Sequence, residues 1–115
     1  MHEVSLMEST VKRVISAQYK DLFGKGPEET SVYMSDNVMT IKFSGVLTRI
    51  EETLNRMDQG NVLVREIRES IINIAREQHL PALEKITGKR IEHMSYYFSE
   101  PTNHMYLFLV LEEGN

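Results

Sequence analysis

The stretch SVYMSDNVMTIKFSGVLTRIEETL, residues 31–54, decides the fold. Its first half alternates apolar and polar residues around Asp36 and Asn37, two residues that tolerate the positive φ of a two-residue hairpin turn. A turn at this position pairs Met34 with Met39 and makes one face of the hairpin apolar. That face carries Val32, Met34, Met39, Ile41 and Phe43. We therefore predict a β-hairpin whose apolar face packs on a helix.

A helix is predicted before this hairpin. Apolar residues recur there at three- and four-residue spacing over about five turns, which is typical of a helix with one buried stripe. The stripe consists of Val4, Met7, Val11, Val14, Ile15 and Leu22. Ser5 and Glu8 fit a capping box at its start, and Gly24 followed by Pro27 predicts its end near Phe23.

A short helix is predicted directly after the hairpin. Thr48 is a suitable N-cap, and Glu51 three residues later completes a second capping box. The inner residues of this helix are Ile50, Leu54 and Met57. Gly60 is predicted to end it.

A longer helix follows, with Asn61 as its N-cap and Gly88 as its end. Pro81 has no N–H to donate, so we expect a bend or a restart of the helix near Leu80. The predicted inner residues are Val64, Ile67, Ile71, Ile74 and Ala75. The predicted outward residues are Arg65, Arg68, Glu69, Arg76 and Glu77.

The last segment reads as a second hairpin, with strands over 90–98 and 104–111. Both alternating sets of the final strand are apolar, and two apolar faces imply that both faces are covered. We expect one face to meet the helices, while the other needs either the short helix or another subunit. Because unpartnered apolar patches are uncommon on monomers, we predict a homodimer with this hairpin near the interface. The candidate interface residues are Tyr96, Phe98, Tyr106 and Phe108. The prediction for the whole chain is an α+β fold in two layers, an antiparallel sheet of two β-hairpins packed against helices, in the order α-β-β-α-α-β-β.

Composition sets limits on the class of protein. A chain of 115 residues fits a single domain, residues 1–115, and the absence of cysteine excludes disulfides and thiol chemistry. A formal net charge of -4 with interspersed Lys and Arg disfavours nucleic-acid binding. The sequence contains neither an apolar run of the roughly 20 residues that span a bilayer nor a signal-peptide pattern. We expect a cytoplasmic protein with no transmembrane segment.

Catalytic and metal-binding patterns are weak. His93 and His104 lie on the same predicted hairpin, but no closely spaced histidine pair or supporting carboxylate indicates a metal site. No nucleophile elbow is present, and we expect neither enzyme activity nor a cofactor. Arg65 and Arg68, together with Lys25, are the candidate contacts for an acidic partner or a small anion.

Three pieces of sequence stand out when they are taken in order: GKGP at 24–27, GVLT at 45–48 with Glu51 and Leu54 after it, and TGKR at 87–90. Together they resemble the MpsC-type domain, a family of small bacterial proteins. Arg65 and Arg68 also match basic positions in the long helix of that family. The family takes its name from a sodium-translocating, membrane-potential-generating system. The resemblance implies a cytoplasmic accessory protein linked to a membrane ion-transport system.

Two functional hypotheses follow. The first is a non-enzymatic, dimeric accessory or regulatory protein that binds another protein, with the cytoplasmic face of a membrane transporter as its partner. The alternative is a small-ligand or anion-binding module that uses Lys25, Arg65 and Arg68.

Overall fold

A computed structural model describes residues 2–113 of the chain, with side chains described from Leu6 onward. The helices are α1 (His2–Phe23), α2 (Arg49–Leu54) and α3 (Gly60–Thr87). The strands are β1 (Glu29–Ser35), β2 (Val38–Ser44), β3 (Ile91–Ser99) and β4 (His104–Leu111). The α+β prediction and the order α-β-β-α-α-β-β are confirmed.

The four strands form one antiparallel sheet in the order β1-β2-β4-β3. The two hairpins therefore join through their second strands, and β1 and β3 are the edges. The predicted register of the first hairpin is confirmed, because Met34 pairs with Met39 and Val32 with Ile41. Asp36 has a φ of 53°, as the two-residue turn requires.

The core lies between one face of the sheet and the helices α1 and α3. Its fully buried members include Val11 of α1, Met39 and Ile41 of β2, Val64 of α3 and Leu109 of β4. Tyr19 of α1 packs on Phe43 of β2 with 5.0 Å between the ring centroids. The apolar face of the first hairpin thus packs against α1, as predicted.

The helix boundaries agree in part with the predictions. α1 ends at Phe23 and is closed by Gly24 at a φ of 80°, and the capping box of Thr48 and Glu51 is present. α1 begins at His2, ahead of the predicted capping residue Ser5. The side chains of Val4 and Ser5 lie outside the described part of the chain.

The entry into α3 differs from the prediction. Gly60 begins this helix instead of ending the previous one, and the N-cap is Gln59 in a left-handed conformation rather than Asn61. A Cβ at Gly60 would lie 1.6 Å from the carbonyl oxygen of Leu54, so the backbones of α2 and α3 approach too closely for any larger residue. α3 continues through Pro81 as one helix to Thr87, so it does not restart there, and the bend near Leu80 stays a prediction.

The inner face of α3 is rotated from the predicted one. Its buried residues are Gly60, Val64, Arg68, Ile72 and Leu83. Ile67 and Ile74 were predicted to be inner residues but are 43% and 51% exposed. Ile50 and Met57 near α2 are also exposed, which leaves Leu54 as the packed residue of that predicted stripe. We call Leu63, Ile67, Ile71 and Ile74 the outer stripe of α3.

Candidate functional site

The most unusual feature of the interior is a charged side chain. Arg68 was predicted to point outward from α3, but its side chain is 0% exposed. The prediction is wrong because Arg68 lies four residues from both Val64 and Ile72, on the face that meets the core. A cation at such a position needs a counter-charge and a full set of hydrogen-bond acceptors.

Glu51 supplies the counter-charge. Nε and Nη2 of Arg68 donate to Oε2 and Oε1 of Glu51 at 2.6 and 2.7 Å, the two-point geometry that matches a guanidinium to a carboxylate. Oε1 of Glu51 also accepts the backbone N–H of Thr48 at 2.9 Å in the capping box. One carboxylate therefore both starts α2 and holds it against α3.

The remaining donors of Arg68 reach other parts of the chain. Nη2 donates to the carbonyl oxygen of Val46 at 2.8 Å, and Nη1 donates to the hydroxyl of Tyr19 at 2.7 Å. The Tyr19 hydroxyl donates in turn to the Val46 carbonyl at 3.0 Å. The guanidinium thereby connects α1, α2, α3 and the segment between β2 and α2.

Two aromatic rings flank the same guanidinium. Its central carbon lies 4.4 Å from the ring centroid of Phe23 and 4.6 Å from that of Phe98, distances typical of cation–π contacts. We call Arg68, Glu51, Tyr19, Phe23 and Phe98 the Arg68 cluster.

Burial and charge shift the pKa values in this cluster. Burial raises the pKa of the Tyr19 phenol to about 12, although the neighbouring Arg68 cation opposes the shift. Burial would lower the pKa of Arg68, but the hydrogen bonds to Glu51 and Tyr19 and the negative charge of Glu51 together raise it. The guanidinium therefore stays charged inside the fold.

A second set of contacts holds the segment before α2. Asn103, in the turn between β3 and β4, has a φ of 57°, and its Oδ1 accepts the N–H groups of Val46 and Leu47, both at 2.8 Å. Its carbonyl oxygen accepts the N–H of Gly45 at 2.9 Å. Three consecutive amides are thus satisfied by one residue of the opposite hairpin, which positions Val46 under Arg68.

The three candidate anion contacts are each engaged within the chain. Lys25 donates from Nζ to the carbonyl oxygen of Leu47 at 3.3 Å, and Arg65 pairs with Glu100 at 3.1 Å. Arg68 is enclosed, and Nε, Nη1 and Nη2 all contact acceptors. Arg68 therefore has no surface to offer an external anion.

The candidate dimer residues divide between the two faces of the sheet. Phe98 pairs with Met105 and Tyr96 with Leu107, so both lie on the core face, and Phe98 is buried. Placing these two on the outer face was wrong, because residues that pair directly across antiparallel strands share a face. The outer neighbour in β3 is Tyr97, which pairs with Tyr106.

The outer face of the sheet carries a row of aromatic rings. Tyr106 lies 6.3 Å from Tyr97 and 6.2 Å from Phe108 between ring centroids, and the planes of Tyr106 and Phe108 are within 6° of parallel. Tyr97 is 58% exposed, and Tyr33 on β1 is 57% exposed. We call Tyr33, Tyr97, Tyr106 and Phe108 the outer sheet patch.

A cavity of about 50 Å³ lies under α1 and α3 beside the Arg68 cluster. Its wall is largely apolar, and Gln18 and His79 each have a buried polar atom without a partner, Oε1 and Nε2 respectively. Ligand pockets usually measure about 300–1,000 Å³, so this space is of a size for ordered water. Within residues 2–113, no group of three or more metal-ligating side chains comes together.

Comparison with known proteins identifies a family that covers nearly the whole chain. The profile of a family described as "Na+-translocating membrane potential-generating system (MpsC)" matches residues 4–113, nearly the whole chain. The chain belongs to the MpsC family. The resemblance in the sequence is thereby confirmed.

This MpsC chain is also similar to "Uncharacterized protein YrhF" of Bacillus subtilis (strain 168). The two are 28% identical over 82 residues, which cover 70% of this chain and 67% of YrhF. No solved structure matches the chain significantly. Over the described part of the MpsC chain, no helix is both long and apolar enough to cross a membrane.

Sequence reasoning found Arg68 in this MpsC chain but assigned it the wrong surroundings. A signal was available, because Val64, Arg68 and Ile72 recur every four residues on one helical face. Glu51, which sequence analysis used as a capping residue and as part of the family pattern, is the other half of the pair.

Proposed function

We propose that this MpsC-family chain is a non-enzymatic accessory or regulatory protein that acts through protein–protein contacts. In this proposal it works in the cytoplasm as a homodimer and associates with a membrane-potential-generating cation transport system. The family description supports the link to ion transport. Contact between this chain and a membrane protein would use its folded surface.

The outer sheet patch carries the proposal. It places tyrosine and phenylalanine side chains side by side on a half-exposed face, and such residues are enriched at protein interfaces. Four strands spaced about 4.8 Å apart and about 24 Å long give a flat area of roughly 450 Å². This is a little over half of the roughly 800 Å² that each partner buries in a stable complex, so the dimer interface would extend beyond the sheet face.

The dimer is tested by sedimentation equilibrium at micromolar concentration. The wild-type chain is expected to have the mass of two chains, and the double substitution Tyr97→Ser with Phe108→Ser is expected to give the mass of one. The matched control is Ile67→Ser with Ile74→Ser, which removes apolar side chains from α3 and should leave the dimer intact. A monomeric wild-type chain would contradict the proposal.

The transport link is tested by a tagged pull-down from the native host. Soluble and detergent-solubilised membrane fractions are run separately, and the retained proteins are identified by mass. We expect a subunit of a cation transporter in the membrane fraction. If both fractions retain only the chain itself, the accessory role is wrong.

The alternative, a small-ligand or anion-binding module, has less support. Of its three proposed contacts, Arg68 is enclosed, whereas Lys25 and Arg65 are exposed and each make one contact within the chain. The cavity near Arg68 is small. A thermal-shift screen with anions and nucleotides tests it, since a ligand at about 100 times its Kd adds about 2.7 kcal/mol of stability.

A further inference from the structure

A second apolar surface lies on α3, away from the core. Leu63, Ile67 and Ile74 in the outer stripe of α3 are 44%, 43% and 51% exposed, and Ile71 is partly exposed. At about 100° per residue, the four side chains fall within an arc of about 80°. They extend over about 17 Å along the helix axis, or three turns. Single exposed aliphatic residues are common, but a stripe at this spacing is typical of a helix that contacts another helix.

Two carboxylates run along one flank of this stripe. Glu66 and Glu77 lie about 80–100° around the helix from Ile67 and about three turns apart along it. Both are exposed, and neither is ion-paired with another residue in the described part of the chain. The residues three and four positions away from each include no Lys or Arg, so the helix itself supplies no neutralising partner.

The basic residues of the same helix do not balance this flank. Arg65 and Arg76 lie about 160–180° from Ile67, on the opposite side of α3. Arg65 is also paired with Glu100 in the turn after β3. Arg68 is buried. Lys85 lies in line with Ile67 but about three turns beyond Ile74, past the end of the stripe. The surface beside the outer stripe is therefore acidic.

The negative charge on this flank favours a binding partner with positive charge. In a two-fold antiparallel pair of α3 helices, the same flanks meet, so the acidic flanks of the two copies would lie against each other with no cation between them and would repel. An anionic membrane would be repelled in the same way. A helix with an apolar stripe and Lys or Arg beside it matches both the shape and the charge.

We propose that the outer stripe of α3 docks an amphipathic helix from a different protein, with basic residues on the flank that meets Glu66 and Glu77. The docked segment needs about three turns of apolar residues and two cations about three turns apart. This inference rests on the proposed accessory function and names the surface through which it acts. It leaves the outer sheet patch free for the second copy.

The test uses three fluorescently labelled helical peptides of about 18 residues that share one leucine stripe. Their flanking positions are all Lys, all Gln or all Glu, and binding is measured by fluorescence anisotropy. The Lys peptide is expected to bind at least about tenfold more tightly than the Glu peptide. Glu66→Lys with Glu77→Lys should reverse this preference.

Matched variants assign the binding to the stripe. Ile67→Ser with Ile74→Ser should weaken binding of the Lys peptide at least about tenfold, while circular dichroism shows the fold retained. Tyr97→Ser with Phe108→Ser, on the outer sheet patch, should leave the peptide affinity unchanged.

Four results would overturn the inference. The first is that no peptide binds at about 100 μM, and the second is that the Ile67 and Ile74 substitutions leave the peptide affinity unchanged. The third is that the chain binds anionic vesicles through the outer stripe of α3, and the fourth is that the Ile67 and Ile74 variant no longer forms the dimer. Failure of the proposed accessory function is distinguishable, because the pull-down would then recover no partner with either the wild-type or the stripe variant.

Discussion

The Arg68–Glu51 pair gives a sharp prediction for stability. Glu51→Gln keeps the shape of the side chain and an acceptor oxygen for the capping box, but it removes the negative charge. Arg68 would then be a cation with no exposed surface and no counter-charge. Loss of one partner from a buried pair costs about 3–5 kcal/mol. Domains of this size are stable by about 5–15 kcal/mol, so roughly a fifth or more of the stability is at risk.

The control is the same substitution at the other Arg–Glu pair of α3. Glu100→Gln removes the charged partner of Arg65, whose side chain is 59% exposed, whereas that of Glu100 is 11% exposed. Because water screens the arginine, we expect this pair to contribute about 0–1 kcal/mol, close to the value of exposed pairs. We therefore expect Glu51→Gln to lower the free energy of unfolding several times more than Glu100→Gln.

The assay is urea unfolding followed by circular dichroism at fixed protein concentration, because self-association changes apparent stability. A second variant separates the charge from the packing. Adding Arg68→Met to Glu51→Gln removes the unpaired cation, and the double variant should be at least as stable as Glu51→Gln alone. If Glu51→Gln and Glu100→Gln agree within about 0.5 kcal/mol, the buried pair does not stabilise the fold and our reading of the cluster is wrong.

Three further predictions concern the same region. Burial raises the pKa of Tyr19 to about 12, above the roughly 10 of the unfolded chain. The contribution of the neutral phenol to the free energy of unfolding is therefore complete below pH 10 and is lost as the pH rises towards 12. Urea unfolding at several pH values should show Tyr19→Phe losing less stability over this range than the wild-type chain. If the free energy of unfolding falls equally fast with pH in both proteins, the raised pKa of Tyr19 is refuted. Asn103→Ala leaves two backbone N–H groups without an acceptor and should lower the free energy of unfolding by about 1–3 kcal/mol, whereas a change below the error of the titration would refute the contact. Gly60→Ala should lower the melting temperature more than Gly24→Ala, because a Cβ at Gly60 meets the backbone at 1.6 Å while one at Gly24 meets nothing within 4 Å. Equal shifts would show that α2 and α3 separate easily.

Local rules predicted much of the fold. The register of the first hairpin follows from alternation and from turn residues that accept a positive φ, both of which are encoded within a few residues. The capping box of Thr48 and Glu51 is similarly local. The join between β2 and β4 is not local, since nothing near either strand specifies its distant neighbour.

The candidate site could be predicted only in part, because its contacts also join residues that are distant in the sequence. α3 has apolar residues on two faces, and the outer one, with Ile67 and Ile74, looked more continuous than the inner one interrupted by Arg68. An arginine is usually exposed, and the contacts that bury this one come from α1, α2 and β3. The face of Tyr96 was misassigned because Tyr96, Tyr97 and Phe98 are all apolar or amphipathic, and only pairing with β4 separates them.

The strand order has a consequence for synthesis of the chain. β2 lies at the centre of the finished sheet, and the contact between Asn37 and Leu111 that helps to close β2 against β4 spans 74 residues. A ribosome makes the whole of α3 and β3 before β4 emerges. Until then β2 presents an open hydrogen-bonding edge, and only α1 covers the apolar face beside it, a combination that favours pairing between neighbouring nascent chains. Translation that stalls before residue 104 is therefore expected to release aggregating fragments.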